Sequence, residues 1–499
     1  MQRRPAAKNT PARFKRAIIS MSLLTMVVAG AGAAKAESLR EALATAYLYN
    51  PTLKAARAQL RATDEEVARA KSGFRPTVTG DIQHSYQDVN TKPPSQAEGD
   101  SYPRSYGVTF NQPIFRGFRT INAVKGAEAL VEAGREDLRN SEQLVLLDAI
   151  TSYVDVVRDQ AILSLRQNNV KVLGEQLRAT QERFDVGEVT RTDVAQAKAR
   201  SSAATSELSA ARAALQASRA SYQRLIGRAP GTLRDPGAAG APVPKTIQQA
   251  LQRGESENPT ILSALFRERS QDHIIKQTKG ELLPSVDLQA NYTASYDGSR
   301  GSGDRDEVTT VTGRVTVPLY EGGEVYARIR QNIETRSQLR HQIDEARERV
   351  RSDVTSAWGT LISARAQIQS DTAGVDASGV ALAGVREEEK VGQRTVLDVL
   401  NAEQELLNAQ VALATSKRDL VVAAYSLSSA MGQLTSAVLN LPVEQYDPGR
   451  HYQEVRNKWI GWDTSIEGRE PEPAVAPVTA SGRAPGQRKL DGPAYQQKK

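Results

Sequence analysis

Cysteine is absent from all 499 residues of the chain. This absence excludes disulfide bonds, thiolate metal sites and cysteine nucleophiles. It also excludes lipid attachment at a bacterial lipoprotein signal, because that reaction modifies a cysteine. We therefore expect a protein that reaches its site of action without a lipid anchor.

Aromatic residues and long apolar runs are also scarce. Only 5% of the chain is aromatic, while 39% is hydrophobic and 25% is charged. Beyond Ala36, no stretch of 18 uncharged apolar residues occurs, and a transmembrane helix needs about that length. This composition excludes a membrane protein built from several spanning helices. Alanine supplies much of the apolar content, which favours long, closely packed helices.

The N-terminus has the composition of a signal peptide. Residues 1–36 combine a basic region, an apolar run from Ala17 to Ala33 and the small–x–small pattern Ala34-Lys35-Ala36. We predict cleavage before Glu37 and export of the remainder; the alternative is a short transmembrane anchor. Without these residues the formal net charge of +7 falls to zero, so the exported chain lacks the basic surface of a nucleic-acid-binding protein.

The chain contains an internal duplication with a period slightly above 200 residues. Asn50-Pro51 recurs as Asn258-Pro259 at an offset of 208 residues, and Val186-Gly187 recurs as Val391-Gly392 at an offset of 205. Because the offset changes by only three residues between these two matches, the two halves should fold alike. The predicted organisation is a signal peptide (1–36), a first repeat (37–227), a linker (228–245), a second repeat (246–432), a C-terminal segment near the helical barrel (433–470) and a disordered tail (471–499).

Each half is predicted to hold an opening helical segment, two extended segments, a very long helix and a shorter one. The opening segments cover Leu39 to Lys71 and Ile247 to Lys279, and the long helices cover Gly117 to Val186 and Gly322 to Val391. About 65 residues at roughly 1.5 Å each give a rod of about 100 Å, and the shorter helices should stack end to end beside it. The alternative is an ordinary two-helix globular core. A coiled-coil seam with steps of four and three residues is formed by Val350, Val354, Ala357, Leu361, Ala364 and Ile368.

The extended segments alternate apolar and polar residues with a period of two. Lengths of about ten residues, with aromatic residues near the ends, are typical of strands that cross a bilayer. A half-buried sheet of a soluble protein gives the same alternation. Four strands cannot close a barrel, and open strand edges are not tolerated in lipid. Two chains would give eight strands and a filled bore, whereas three give twelve strands and an open lumen, so we predict a trimer.

These features resemble the TolC family of trimeric outer-membrane efflux proteins, over Glu37 to about Leu434. The resemblance rests on Leu39-Arg40-Glu41-Ala42-Leu43, on Asn50-Pro51-Thr52-Leu53, on the duplicated helix–strand–strand–helix order and on the motif VGQRTVLDVLNA at residues 391–402. It implies an α+β membrane protein, a trimeric twelve-stranded β-barrel with four strands per chain, continued into a long α-helical coiled-coil barrel. The missing cysteine points to the non-lipidated branch of this family.

The resemblance also implies the function and the partners. The chain would be the exit duct of a tripartite efflux or type I secretion system, in the outer membrane and extending into the periplasm. Its partners would be two further copies of itself, outer-membrane lipid, a periplasmic adaptor (membrane fusion) protein and an inner-membrane pump of the RND or ABC type. The alternative is a soluble periplasmic coiled-coil adaptor or structural protein. An adaptor would cover its strand face with its own chain, yet no further β-rich region remains in this sequence.

The resemblance places a pore aperture at the periplasmic end of the duct. It puts Asp398 on a ring of carboxylates, and Asn401 lies one helical turn further on the same face. A carboxylate ring in a narrow pore favours cations. The best-known member has a second aspartate at the position of Asn401, so we expect weaker block by cations here. The alternative for Asp398 is a solvated or helix-capping carboxylate.

The resemblance also implies a lock on the closed state. Arg394 matches a position that pairs with an aspartate on a neighbouring coil, here Asp193 beside Thr192. The family's second lock residue is a tyrosine, and Glu389 stands at that position here. A glutamate would repel Asp193, so we expect no lock of that kind.

The paired tips are the remaining predicted site. Val186-Gly187 and Val391-Gly392 have the pattern of helix C-caps in which glycine adopts the left-handed conformation. In the family that the chain resembles, such tips contact the hairpin of the adaptor. We therefore expect these four residues to form the adaptor-contact surface.

Enzymatic function is not expected. The glycine-rich stretch Gly298 to Gly303 lies between two extended segments, so it is a hairpin loop rather than a phosphate-binding loop before a helix. We predict no cofactor and no metal. No metal-binding or catalytic motif is formed by the four scattered histidines, His84, His273, His341 and His451.

Overall fold

The computed structural model describes residues 36–90, 92, 99–237, 240–296 and 305–463. The predicted signal peptide lies outside these residues except for Ala36, as do the glycine-rich loop and the predicted tail. Within the described ranges, no helix combines the length and the apolar character that a membrane crossing requires.

The two halves repeat one order of elements. The first half consists of α1 (Leu39–Tyr49), α2 (Pro51–Lys71), a 3-10 turn (Ser72–Phe74), β1 (Thr77–His84), β2 (Gln87–Val89), β3 (Gly99–Ser101), β4 (Arg104–Arg116), α3 (Arg119–Asp185) and α4 (Arg191–Ile226). The second half consists of α5 (Ile247–Glu257), α6 (Pro259–Lys279), a 3-10 turn (Gly280–Leu282), β5 (Ser285–Tyr296), β6 (Arg305–Thr316), α7 (Glu324–Lys390) and α8 (Val396–Ala430). A short helix, α9 (Arg450–Val455), follows. Because α3 and α7 both have 67 residues and α2 and α6 both have 21, the predicted duplication is confirmed.

Each half opens on two helices, so the prediction of one continuous opening helix was wrong. The breaks fall at Asn50 and Asn258, whose ψ of 124° is extended. The cause is the proline that follows, because it disfavours helical backbone at the residue before it and fits the first position of a new helix. The Asn50 carboxamide oxygen then caps α2 by accepting a hydrogen bond from the Thr52 N–H at 2.9 Å.

The same asparagines fix the stacking of the shorter helices. The Asn50 side-chain amide donates to the Leu225 carbonyl at the end of α4, at 2.9 Å. In the second half Asn258 donates to the Ala430 carbonyl at the end of α8, also at 2.9 Å. The predicted end-to-end stack therefore exists. The helix that meets α4 is α2, which begins at Pro51, and the helix that meets α8 is α6, which begins at Pro259; the predicted helix began at Leu39.

The apolar core follows the helices as a stripe. The seam predicted on α7 is buried at Val350, Val354 and Leu361, where it packs against Leu427 of α8. A matching cluster in the first half joins α1, α3 and α4 around Tyr153 and Tyr222. This stripe is the coiled-coil packing that the heptad pattern predicts.

The four long strands form one antiparallel sheet in the order β1-β4-β5-β6. Directly paired residues of neighbouring strands share a face, so the register shows which side chains lie together. One row is apolar, and it consists of Val78, Phe110, Ala290 and Val311. The row beside it on the other face is polar, and it consists of Thr79, Thr109, Asn291 and Thr310.

The apolar face of this sheet is uncovered by the described part of the chain. Val78 is 65% exposed, Ile82 is 79% exposed and Val311 is 68% exposed. A soluble sheet would bury such a row against other segments, whereas a bilayer-spanning sheet presents it to lipid. Together with the strand lengths, this exposure favours the membrane-spanning interpretation over a small soluble β domain.

The two faces can be tested with neighbouring residues of β6. We expect Val311→Arg to lower strongly the amount of folded protein in the outer membrane, because an arginine facing lipid near the bilayer centre costs about 2–4 kcal/mol. Thr310→Arg is the matched control, since its side chain lies on the polar face, and its yield should be close to wild type. The measurement is heat-modifiable protein in purified outer membranes, and equal yields for the two variants would contradict the assignment of faces.

Candidate gate at the helical tips

Two helical hairpins end in exposed Val-Gly turns. In the first, Gly187 has φ +83° and its N–H donates to the Phe184 carbonyl at 2.9 Å. In the second, Gly392 has φ +79° and donates to the Glu389 carbonyl at 2.9 Å. These are the predicted helix C-caps, and the positive φ is the reason for glycine at both positions.

The tips present apolar side chains to their surroundings. Val186 is 72% exposed and Val391 is 70% exposed. A Cβ built on Gly187 or Gly392 would meet no other atom within 4 Å. Each hairpin therefore ends in a small apolar surface that is open for contact.

The two predicted gate aspartates cap the helices that leave the tips. Asp398 accepts hydrogen bonds from the Thr395 N–H at 3.0 Å and from the Thr395 hydroxyl at 2.8 Å. Asp193 makes the same pair of contacts with Thr190, at 2.9 Å and 2.7 Å. These bonds to Thr395 hold the pKa of Asp398 below its usual value. The capping role, given above as the alternative for Asp398, is thus present, and it leaves the carboxylate ionised.

Arg394 lies in the turn between α7 and α8. Its Nε donates to the Glu388 carboxylate at 2.8 Å, and this bond raises the pKa of Arg394. The predicted partner Asp193, with Thr192 beside it, lies in the first turn of α4. A pair between Arg394 and Asp193 of a neighbouring copy stays a prediction.

The two hairpins are joined by an ion pair that was not predicted from the sequence. The Arg183 guanidinium at the end of α3 contacts the Glu389 carboxylate at the end of α7, at 2.5 Å. Arg183 also contacts Glu188 at 3.3 Å. Glu389 thus has a partner in Arg183, whereas from the sequence we expected only its repulsion from Asp193. The acidic run at residues 387–389 could have indicated such an ion pair. Carboxylates in the last turn of a helix oppose its dipole and therefore need cations nearby.

The hairpins are also joined deeper in the bundle. Arg200 of α4 donates to the Asn401 side-chain oxygen of α8 at 3.0 Å. Beside this bond, a buried apolar cluster contains residues of α3, α4 and α8, and its members are Leu173, Ala197, Ala204, Val396 and Leu400. Asn401, predicted at the aperture, therefore helps to hold α4 against α8. Among the residues that the structure describes, no group of three or more histidine, aspartate or glutamate side chains is placed to hold a metal ion.

Comparison with known proteins identifies the family. The model of the outer membrane efflux protein family matches residues 42–228 and again residues 246–433. The chain belongs to this family. The two matches coincide with the two halves, which agrees with the duplication, and the predicted family resemblance is confirmed.

Several members of the outer membrane efflux family are similar over most of the chain. BepC of Brucella suis, an outer membrane efflux protein, is 40% identical over 90% of this chain and 97% of its own length. The outer membrane protein TolC of Escherichia coli is 25% identical over 80% of this chain and 83% of its own length. The alkaline protease secretion protein AprF of Pseudomonas aeruginosa is 26% identical over 70% of this chain and 73% of its own length.

Solved structures show the same fold. The CmeC outer membrane channel of Campylobacter jejuni aligns with a TM-score of 0.69 and 17% identity, over 84% of this chain and 89% of that one. The VceC outer membrane protein of Vibrio cholerae aligns with a TM-score of 0.67 and 18% identity, over 79% and 96%. The chain is an outer-membrane efflux protein with the fold of these channels, and the alternative of a soluble periplasmic adaptor is set aside.

The link between the hairpins can be tested by crosslinking, because the chain has no native cysteine. We expect the pair Arg183→Cys and Glu389→Cys to be linked readily by a short bis-maleimide, which has two thiol-reactive groups, since the two side chains are in contact. The matched control is Glu182→Cys with Glu389→Cys, because residue 182 faces away from residue 183 by about 100° on the helix. Digestion and mass spectrometry measure the crosslinked peptide, and equal yields from the two pairs would disprove the contact.

Proposed function

We propose that three copies of this efflux protein form one exit duct, a twelve-stranded barrel continued by a helical tunnel and closed at the periplasmic tips. The observation that carries the proposal is the four-stranded sheet with an uncovered apolar face. In that sheet β1 and β6 are the edges, and an edge in lipid must be paired. Pairing β6 of one copy with β1 of the next continues the antiparallel order and closes a ring.

The proposed duct serves a tripartite efflux or type I secretion system. The relatives support both uses, because BepC is an efflux protein by name and AprF is a protease secretion protein by name. An adaptor in the periplasm would contact the Val-Gly tips, and an RND or ABC pump in the inner membrane would deliver the cargo. The exposed valines of the tips support the adaptor contact, since small apolar surfaces of this kind are what a partner helix buries.

The oligomeric state is the first test of the duct. We expect the detergent-solubilised protein to have the mass of three chains, because only an oligomer satisfies the backbone groups at the edges of β1 and β6. The measurement is light scattering with correction for bound detergent, combined with circular dichroism. A monodisperse monomer that keeps its β-sheet signal would contradict the proposal.

We propose further that Arg394 and Asp193 of adjacent copies hold the closed end. Arg394 is half exposed and, among the residues that the structure describes, its Nε pairs with the similarly exposed Glu388, so its remaining guanidinium N–H groups can donate to Asp193 as well. Exposed pairs of this type contribute about 0.2–1 kcal/mol each, so three symmetric copies would favour closure by about 0.6–3 kcal/mol. An interaction of this size keeps a resting duct closed and still lets an adaptor open it.

The lock predicts a defined pattern of conductance in planar bilayers. Arg394→Ser should raise the single-channel conductance, and Asp193→Asn should raise it similarly while keeping an acceptor for the Thr190 cap. The double variant should conduct little more than either single variant, because both changes remove one interaction. Wild-type conductance for Arg394→Ser would mean that Arg394 is only a surface charge.

The proposed aperture predicts a separate change, in ion selectivity. Asp398→Asn should lower the preference for cations, measured as the reversal potential in a salt gradient, because it removes three charges from a narrow ring. The asparagine can still accept the Thr395 hydrogen bonds, so the helix cap is retained. Asp398→Glu is the charge-preserving control and should keep the selectivity. A reversal potential that Asp398→Asn leaves unchanged would place Asp398 outside the pore lining.

A further inference from the structure

The segment after α8 returns along α2 toward the sheet. We call residues 441–463 the C-terminal strap. Its central contact is a buried one, in which His451 Nδ1 lies 3.0 Å from the Asp64 carboxylate. Hydrogen bonds hold the strap against the protein along its length. They join Tyr446 to Tyr47, His451 to Asp64, Asn457 to Lys71, and Lys458 to Arg75. Its anchoring partners thus advance along the chain from α1 to the start of β1.

The strap ends in a turn that is held by hydrogen bonds. The Lys458 ammonium donates to the Asp463 carbonyl at 2.6 Å and to its carboxylate at 3.2 Å. Gly461 between them has φ +112°, a conformation that favours glycine. The Arg75 guanidinium lies over the Trp459 ring, 4.7 Å from its centre. The turn is therefore held to the body of the protein by its polar groups.

The apolar side chains of the same turn are largely exposed, although one face of the Trp459 ring lies against Arg75. Trp459 is 66% exposed, Ile460 is 89% exposed and Trp462 is 100% exposed. Two tryptophans and an isoleucine so close together on a surface are unusual for a protein region in water. Their exposure indicates a ligand or a surface that covers them.

The position of the turn indicates which surface this is. Arg75, which holds Trp459, precedes the first residue of β1 by two positions, so the turn lies where the helices end and the membrane-crossing sheet begins. Tryptophan is enriched at this level of membrane proteins, because its ring is apolar and its N–H stays hydrated. The cations near the turn are Lys71, Arg75, Arg456 and Lys458, of which Lys458 pairs with Asp463, and the excess of positive charge suits anionic headgroups.

We propose that the C-terminal strap is a lipid-binding anchor, in which Trp459, Ile460 and Trp462 insert into the periplasmic leaflet of the outer membrane beside the barrel. The ligand is a phospholipid surface that contains anionic headgroups. The anchor supplies, without covalent chemistry, the leaflet contact that a lipid-modified cysteine would give. A neighbouring copy of the chain or a periplasmic protein could cover the same side chains, and the experiment distinguishes these occupants from lipid.

The tryptophans themselves provide the test, because the chain has three. Trp358 lies in α7, 34 residues after Glu324 at its start, which places it about 50 Å along the helix from the sheet. The strap variant Trp358→Phe keeps the two strap tryptophans, and the control variant Trp459→Phe with Trp462→Phe keeps Trp358 alone. Both are reconstituted in vesicles of phosphatidylethanolamine and phosphatidylglycerol, with or without acyl-brominated phospholipid, after their trimer mass has been verified.

We expect brominated lipid to reduce the emission of the strap variant about twofold, since interfacial side chains lie within reach of the upper acyl carbons. The control variant should keep its emission. Ile460→Asp, added to the strap variant, should restore most of the lost emission, because a carboxylate opposes insertion. Unquenched emission at a long wavelength would show a solvated turn, and unquenched emission at a short wavelength would show a protein contact. Either result overturns the proposal.

Discussion

The pairing of backbone groups in lipid is the constraint on which this structure depends. A strand inside a bilayer has no water to satisfy its N–H and C=O groups, so every edge must find another strand. One chain supplies four strands and leaves β1 and β6 as edges. The apolar row through Val78 and Val311 fixes which face meets lipid, and the polar row through Thr79 and Thr310 fixes which face lines the interior. The oligomer, the lumen and the location of the protein follow from the unpaired edges and from the two different faces of this sheet.

The helical part of the chain is constrained by its length. Each half places one 67-residue helix beside a stack of two of its three shorter helices, α2 on α4 or α6 on α8, and the stacked helices must meet without leaving unpaired groups at the joint. Asn50 and Asn258 each satisfy both sides of the joint with one side chain, which caps α2 or α6 and donates to a carbonyl at the end of α4 or α8. The predicted gate residues lie at the far end, where the ion pair of Arg183 with Glu389 joins the hairpins beyond the buried cluster of α3, α4 and α8. A single ion pair at the tips suits the opening that we propose for them.

Features with a period or a repeated order could be predicted from the sequence. The heptad seam through Val354, the alternating strands and the Val-Gly caps are local patterns, the duplication is a repeated order, and each was found in the structure. The helix breaks at Asn50 and Asn258 were missed because the helical pattern continues across the prolines. The pair of Arg183 and Glu389 was missed for another reason. Its members are 206 residues apart in sequence, and the packing of α8 against α3 and α4 brings the ends of the two hairpins together.

The contact between β6 of one copy and β1 of the next tests the account most directly. Cysteines introduced on the polar face, at Thr79, Asp81 or Gln83 of β1 and at Thr310, Thr312 or Arg314 of β6, can be combined in pairs in the cysteine-free chain. Oxidation in intact outer membranes should give covalent dimers and trimers on denaturing gels for the pairs in register, and none for either cysteine alone. If every pair stays monomeric, or if crosslinks form within one chain, the barrel is closed in some other way and the account is wrong.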